Sequence, residues 1–186
     1  MSTPKVYIQI GTNDGDDLFY KKVVDEKPDI VILVEPNPIH IPSIKSRYLH
    51  MERDIIIRQQ VVHPLDGQLV KLFVPQDNKH SSVIMRHGLG WREDEYITVP
   101  TISFNTMCKG LQHIDYLQID TEGFDNEILD SIDFTQFTID IIRFERWTDR
   151  EVEQALSIKR LEGLGYTVEK ILDWDGDDYI AQKISK

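Results

Sequence analysis

Four short segments hold the residues best suited to chemistry, and each closes an apolar run. Gly11-Thr-Asn-Asp-Gly15 follows Lys5–Ile10, Glu35 follows Asp29–Val34, Asp120-Thr-Glu122 follows Ile114–Ile119, and Glu145 follows Phe137–Phe144. Glycines at a turn let a backbone approach a ligand closely. Their spacing is G-x-x-x-G, not the dinucleotide pattern G-x-G-x-x-G, and Asp14 sits inside it with Asp16 and Asp17 just beyond. A pyrophosphate wants bare amides with no carboxylate beside them, so these acids argue against NAD and phosphate-bearing cofactors, whereas a cationic ligand tolerates them. At the end of the second run, the Glu35 carboxylate can accept both hydrogens of a ribose diol through charge-assisted bonds. A glycine turn and a ribose acid without a phosphate cradle point to an adenosyl cofactor lacking phosphates. S-adenosyl-L-methionine, with its cationic sulfonium, is the expected one.

The elements that must position these residues alternate. Strands are expected over Lys5–Ile10 and Asp29–Val34, the second apolar on both faces, as in a covered parallel sheet. A helix over Asp16–Val24 separates them. The next helix begins either at Asn37-Pro38 or at Pro42, because a helix-interior proline costs about 3 kcal/mol. Asp54–Val62 and Gln68–Val74 flank the turn Pro64-Leu-Asp-Gly67 and read as a hairpin. Pro75–Glu95 reads as a long loop, either functional or mobile. Tyr96–Thr101 is expected as a strand and Ser103–Gly110 as a short helix. Ile114–Ile119 is another strand, and Phe124, Ile128, Leu129 and Ile132 then recur at helical spacing. After the strand Phe137–Phe144, Thr148 and Glu151 form a capping box for a helix with the apolar stripe Val152, Ala155, Leu156 and Leu161, stopped by Gly165. Tyr166–Leu172 and Tyr179–Ile184 flank Asp175-Gly176 as a final hairpin. Strands alternating with helices make parallel βαβ units, and ligands bind beyond the carboxyl ends of such strands, where the four segments fall.

A length of 186 residues fits one domain, and a 40% hydrophobic composition is enough for a globular core. No apolar run approaches the 18 or more residues of a membrane span. The lone Cys108 forms no internal disulfide and no cysteine metal cage; it reads as a small buried side chain. With no apolar signal core at the N-terminus, a cytoplasmic location is expected. The net charge of −11 without a basic run disfavours long nucleic acids and suits a neutral or cationic small substrate. The histidines show no zinc spacing. Asp173–Asp178 lacks the glycine and glutamate of a calcium loop and reads as a turn.

Val6–Asp16 (VYIQIGTNDGD), Leu33–Pro38 (LVEPNP), Tyr116–Leu129 (YLQIDTEGFDNEIL) and Ile142–Glu145 (IRFE) resemble the FkbM family of S-adenosylmethionine-dependent O-methyltransferases. Ser81-Ser82 and Val99-Pro-Thr-Ile also fall where that family shows such residues. The resemblance covers nearly the whole chain. It implies an α/β fold of class I methyltransferase (Rossmann-like) type: a doubly wound, mostly parallel seven-stranded sheet with a C-terminal antiparallel hairpin. Many relatives carry helices before the first strand, so residues 1–186 read either as a minimal enzyme or as a domain of a larger polypeptide.

By matching position, Gly11, Asn13 and Gly15 would line the methionine end of the cofactor, beside Asp14. Glu35 would hold the ribose, Gln60 and Val61 would lie near adenine, and Asp120 near the transferred methyl. The acceptor would be a hydroxyl of a sugar or another small molecule. Such a hydroxyl is a weak nucleophile, so a base or a metal must ease loss of its proton. Asp120 and Glu145, at the ends of strands expected to be adjacent, are the candidate ligands for Mg²⁺ or Mn²⁺. Asp120, Glu122, His80 and His87 are the candidate bases, and Trp91 and Tyr96 offer flat faces to a sugar. The alternative is a non-catalytic methyltransferase-like module within a larger assembly, against which the acids at several strand ends speak.

Overall fold

The computed structural model describes residues 3–75, 80–85, 92–173 and 176–184. The elements are β1 (Val6–Ile10), α1 (Leu18–Glu26), β2 (Ile30–Val34), α2 (Ile41–Tyr48), β3 (Asp54–Arg58), β4 (Val61–Val62), β5 (Leu69–Phe73), β6 (Tyr96–Ile102), α3 (Phe104–Met107), β7 (His113–Ile119), α4 (Asp125–Ser131), β8 (Thr138–Glu145), α5 (Glu151–Gly163), β9 (Tyr166–Asp173) and β10 (Gly176–Lys183). Seven strands form one sheet in the order β3-β2-β1-β7-β8-β10-β9. Its core strands pair in parallel, and β10 alone runs antiparallel between β8 and β9. The order reverses direction between β1 and β7, the point at which a crevice opens above the sheet.

The unbroken apolar runs of β1 and β2 are explained by burial on both faces. On one, Tyr7, Val31 and Leu33 pack with Phe19 and Val23 of α1 and Ile44 and Tyr48 of α2. On the other, Ile8, Ile10 and Ile32 join Phe104, Leu117, Ile128, Phe144 and Leu161. Among the described residues no helix is long and apolar enough to cross a membrane.

Local signals place the helix starts. The Asp17 side chain accepts from Tyr20 N and caps α1, which starts two residues later than expected. Helix α2 takes the second of its two expected starts, with Pro42 in its first turn, where a missing N–H costs nothing.

Two expectations fail. Asp54–Val62 is not one strand. It leaves the main sheet after Arg58, and Val61–Val62 joins a second, three-stranded sheet of order β4-β6-β5. The expected hairpin therefore does not form, since β5 pairs antiparallel with β6. The turn at residues 64–67 instead wraps the end of β6: Thr101 Oγ1 donates to Leu65 O at 2.6 Å, and Asp66 accepts from Ser103 N at 2.6 Å and Ser103 Oγ at 2.9 Å.

The second failure concerns the cap and apolar stripe of α5, a helix that itself forms where expected and buries Leu161. Its N-cap is Arg150, with no side-chain cap, and its buried residues are Gln154, Ser157 and Leu161. Val152 and Leu156 face solvent. Gln154 is drawn inward because its side chain donates to Glu145 O at 2.8 Å and accepts from Trp147 N at 3.2 Å, satisfying backbone freed where β8 ends.

Candidate active site

At the switch point a cleft open to solvent lies over the carboxyl ends of β1, β2 and β7. Its floor depends on Gly11, at φ +84°, where a Cβ would stand 1.7 Å from the Asp120 carbonyl oxygen. Gly11 N donates to Val34 O at 2.9 Å, and Asp120 N donates to Ile10 O at 2.9 Å, so β1, β2 and β7 meet there.

Glu35 is buried, and each of its carboxylate oxygens is held by an amide. Asn13 N donates to Oε2 at 2.8 Å and Asn37 N to Oε1 at 2.7 Å. The carboxylate thus ties the glycine turn to the entry of α2 and retains unused lone pairs at the cleft wall. Burial pushes its carboxyl up to about 7, against the pull of those two amides.

The far wall is acidic. Asp120 opens into the cleft although protein surrounds it; those surroundings, and then Asp125 and Glu122, raise its carboxyl well above the ordinary range. Asp125 is fully buried and accepts from Thr121 Oγ1 at 2.9 Å and Glu145 N at 3.4 Å, and burial pushes it up to about 7. Glu145 is raised by burial and then by Asp120, and its Oε2 has no hydrogen-bond partner. Glu122 sits in the left-handed region at φ +55°, and its Oε1 lies 2.7 Å from His80 Nδ1. Such a backbone costs a non-glycine residue on the order of 1–3 kcal/mol, and such strain gathers at functional sites.

Of the residues singled out in the sequence, Gly11, Asn13, Glu35, Gln60, Val61, Ser81, Ser82, Asp120 and Glu122 line the cleft. Asp14, Gly15 and Glu145 are not among its lining. Asp14 points to solvent, accepting from Asp16 N at 3.0 Å. Gly15 serves packing, since a Cβ there would meet Tyr48 Cε2 at 3.2 Å. Glu145 lies near enough to Asp120 and Asp125 that, after burial, their charges raise its carboxyl. Tyr96 is 41% exposed beneath the Lys71 ammonium, 4.1 Å from its ring centre, and is not part of the cleft lining. His87 and Trp91 lie outside the described residues. Cys108 is buried, and burial pushes its thiol up to about 12, which leaves it inert as a nucleophile. Sequence reasoning missed Asp125 as the organiser of this wall; its only signal was an acid directly after Gly123-Phe124. It also missed His40 and Phe124 in the lining.

The raised carboxyls set a pH dependence. Unfolded, Glu35 and Asp125 lose their protons near 4.5 and 3.8; folded, they do so near 7. Between those values the folded state binds more protons, so stability falls as pH rises, by roughly 3 kcal/mol for Glu35 and about 4 kcal/mol for Asp125. The melting temperature without ligand is expected to drop between pH 5 and pH 8. A flat or rising profile in calorimetry would contradict the burial of these acids.

No curated protein matches the chain by sequence. Among solved structures, the fold resembles the FkbM methyltransferase of Methylobacillus flagellatus KT at TM-score 0.57 and 13% identity, over 96% of this chain and 43% of that one. It resembles the human methyltransferase 10 domain containing protein at TM-score 0.55 and 11% identity, over 100% of this chain and 74% of that one. It resembles the precorrin-6y C5,15-methyltransferase of Geobacter metallireducens GS-15 at TM-score 0.53 and 14% identity, over 99% of this chain and 82% of that one. The fold is thus that of class I methyltransferases. The profile of the methyltransferase FkbM domain matches residues 9–168, most of the chain, and the protein belongs to the FkbM methyltransferase family.

Proposed function

We propose that residues 1–186 act as one domain that transfers a methyl group from S-adenosyl-L-methionine to a hydroxyl oxygen of a sugar or another small hydroxylated molecule, in the cytoplasm. The observation that carries this reading is a cleft with a buried carboxylate, Glu35, on one side and the acids Asp120 and Glu122 on the other. The bound cofactor supplies an electrophilic methyl on a cationic sulfur. Glu35 takes the ribose hydroxyls through its remaining lone pairs. Gln60 and Val61 border the adenine, and Gly11 and Asn13 the methionine end. Asp120, which lines the same cleft, would offset the sulfonium charge. Long nucleic acids do not suit this acidic wall.

Methyl transfer to oxygen is an in-line displacement, so alignment supplies most of the rate. Glu122, steadied by His80, takes the proton of the acceptor hydroxyl. Asp120 and Glu145, whose buried Oε2 has no hydrogen-bond partner, would hold Mg²⁺ or Mn²⁺ through carboxylate oxygens, with water completing the shell. That ion would lower the proton cost of the acceptor.

S-adenosylhomocysteine at millimolar concentration is expected to raise the melting temperature, as a ligand of the native state must. Label from methyl-tritiated cofactor is expected to appear in one of a panel of free sugars and glycosides. No thermal shift would remove the cofactor assignment. A shift without transfer would favour a module that binds but does not turn over. Transfer that survives a chelator would retire the ion.

A further inference from the structure

The end of the sheet remote from the cleft carries a second constellation of donors. His113 and Asp115 lie two apart at the start of β7, and Asp140 lies near the start of β8. The pairs Ile114–Ile139 and Tyr116–Ile141 set Asp115 directly beside Asp140. Two carboxylates at neighbouring positions of adjacent strands repel and destabilise the pairing unless a cation lies between them. Among the described residues, the ion-pair partner of either carboxylate is His113 alone. Its Nε2 lies 3.1 Å from Asp140 Oδ2 and 3.8 Å from Asp115 Oδ1.

We propose that His113, Asp115 and Asp140 form a three-ligand Zn²⁺ site that ties β7 to β8 at the amino end of the sheet. The three donor atoms lie within 4.8 Å of one another. Bonds of about 2.0–2.2 Å at tetrahedral angles put donors about 3.4 Å apart, so the two distances from Nε2 bracket what the ion requires. An imidazole with two carboxylates favours zinc over the all-oxygen preference of magnesium. The second shell is built as well: Val6 N donates to Asp115 Oδ2 at 2.7 Å, which fixes that carboxylate and leaves Oδ1 to face the imidazole. This amide belongs to the first residue of β1, so the ion would draw three strands together. The side chains are 33%, 27% and 48% exposed, which gives the ion a path in and a water its fourth position. The site is independent of the proposed methyl transfer: seven residues of extended chain from His113 to Asp120 put the cleft about 20 Å away.

Co²⁺ reports the coordination directly. Titrating the full chain with Co²⁺ is expected to saturate at one equivalent with the intense visible bands of a four-coordinate ion, and Zn²⁺ is expected to displace it and raise the melting temperature. His113→Gln and Asp140→Asn are each expected to weaken Co²⁺ binding at least ten-fold while leaving the thermal shift with S-adenosylhomocysteine unchanged. Asp140 is exposed, so its amide variant serves if the histidine variant folds poorly, and far-ultraviolet circular dichroism checks both. A spectrum that stays six-coordinate, or tight binding unchanged in both variants, would overturn the proposal. Retained Co²⁺ binding that is lost in Asp120→Asn would place the ion in the cleft instead.

Discussion

Gly11→Ala is expected to destabilise the fold by about 2–5 kcal/mol and to abolish cofactor binding, because two costs coincide at this position. The residue has φ +84°, which an L side chain rarely adopts, and its Cβ would stand 1.7 Å from the Asp120 carbonyl oxygen. Nothing flexible can yield there. The blocking atom is backbone, held by the bond from Asp120 N to Ile10 O at 2.9 Å. Relief requires the ends of β1 and β7 to part, and those ends form the cleft floor. Gly110 is the internal control. It has φ +96° with nothing within 4 Å of its would-be Cβ, so Gly110→Ala should cost only the backbone term, about 1 kcal/mol. Urea denaturation of the two variants separates strain from collision. Equal losses would mean that the close approach at Gly11 carries no energetic weight.

The same glycine shows what the sequence made legible. A turn glycine after an apolar strand marks the place where backbone must come close to something, and a chain of one-letter codes can say no more. The structure adds that the close neighbour is β7, more than a hundred positions later. Strands with continuous apolar runs, such as Ile30–Val34, were readable because burial on both faces leaves no polar alternation. The acids Glu35, Asp120 and Glu122 were readable because a parallel sheet gathers its strand ends along one edge.

What escaped was decided by tertiary hydrogen bonds. Helix α5 turns Gln154 and Ser157 inward and leaves Val152 and Leu156 outside. The reason is the unsatisfied backbone at the end of β8 and the Asp130 carboxylate, which lies 3.3 Å from Ser157 Oγ. Hydrophobic periodicity cannot register a demand made by another element. Gly15 and Asp14 have the right types for a cofactor turn, yet one packs on Tyr48 and the other faces water. The turn's geometry, with Asn13 at φ +50° and Glu35 gripping its amide, selects which of its residues reach the cleft. Asp125 carries no motif of its own. Its importance lies in being wholly buried among other carboxylates, a property of packing alone.

Glu35→Ala is expected to weaken S-adenosylhomocysteine binding by 100-fold or more. The side chain has two tasks that the substitution removes together. Toward the protein, it accepts from Asn13 N at 2.8 Å and Asn37 N at 2.7 Å, and loss of the carboxylate strands these donors. An unsatisfied buried amide costs about 1–3 kcal/mol, so stability falls whether or not a ligand ever binds there. Toward the cleft, the proposed ribose diol would lose two bonds to a charged acceptor, each worth about 1.5–3 kcal/mol, which multiplies to a factor of at least a hundred in affinity. Calorimetric titration with S-adenosylhomocysteine reads the second task and urea denaturation the first. A large stability loss with unchanged affinity would leave Glu35 as a brace between the glycine turn and α2, and would move the ribose elsewhere in the cleft. The raised carboxyl, near 7, adds a second readout of that contact. A diol that donates to the carboxylate favours its charged form, so binding should release a proton near pH 7 and strengthen as pH rises through that value. Proton release, measured as a buffer-dependent binding enthalpy, should disappear in Glu35→Ala. If it persists undiminished, the proton comes from the Asp120 side of the cleft and the contact with Glu35 is refuted.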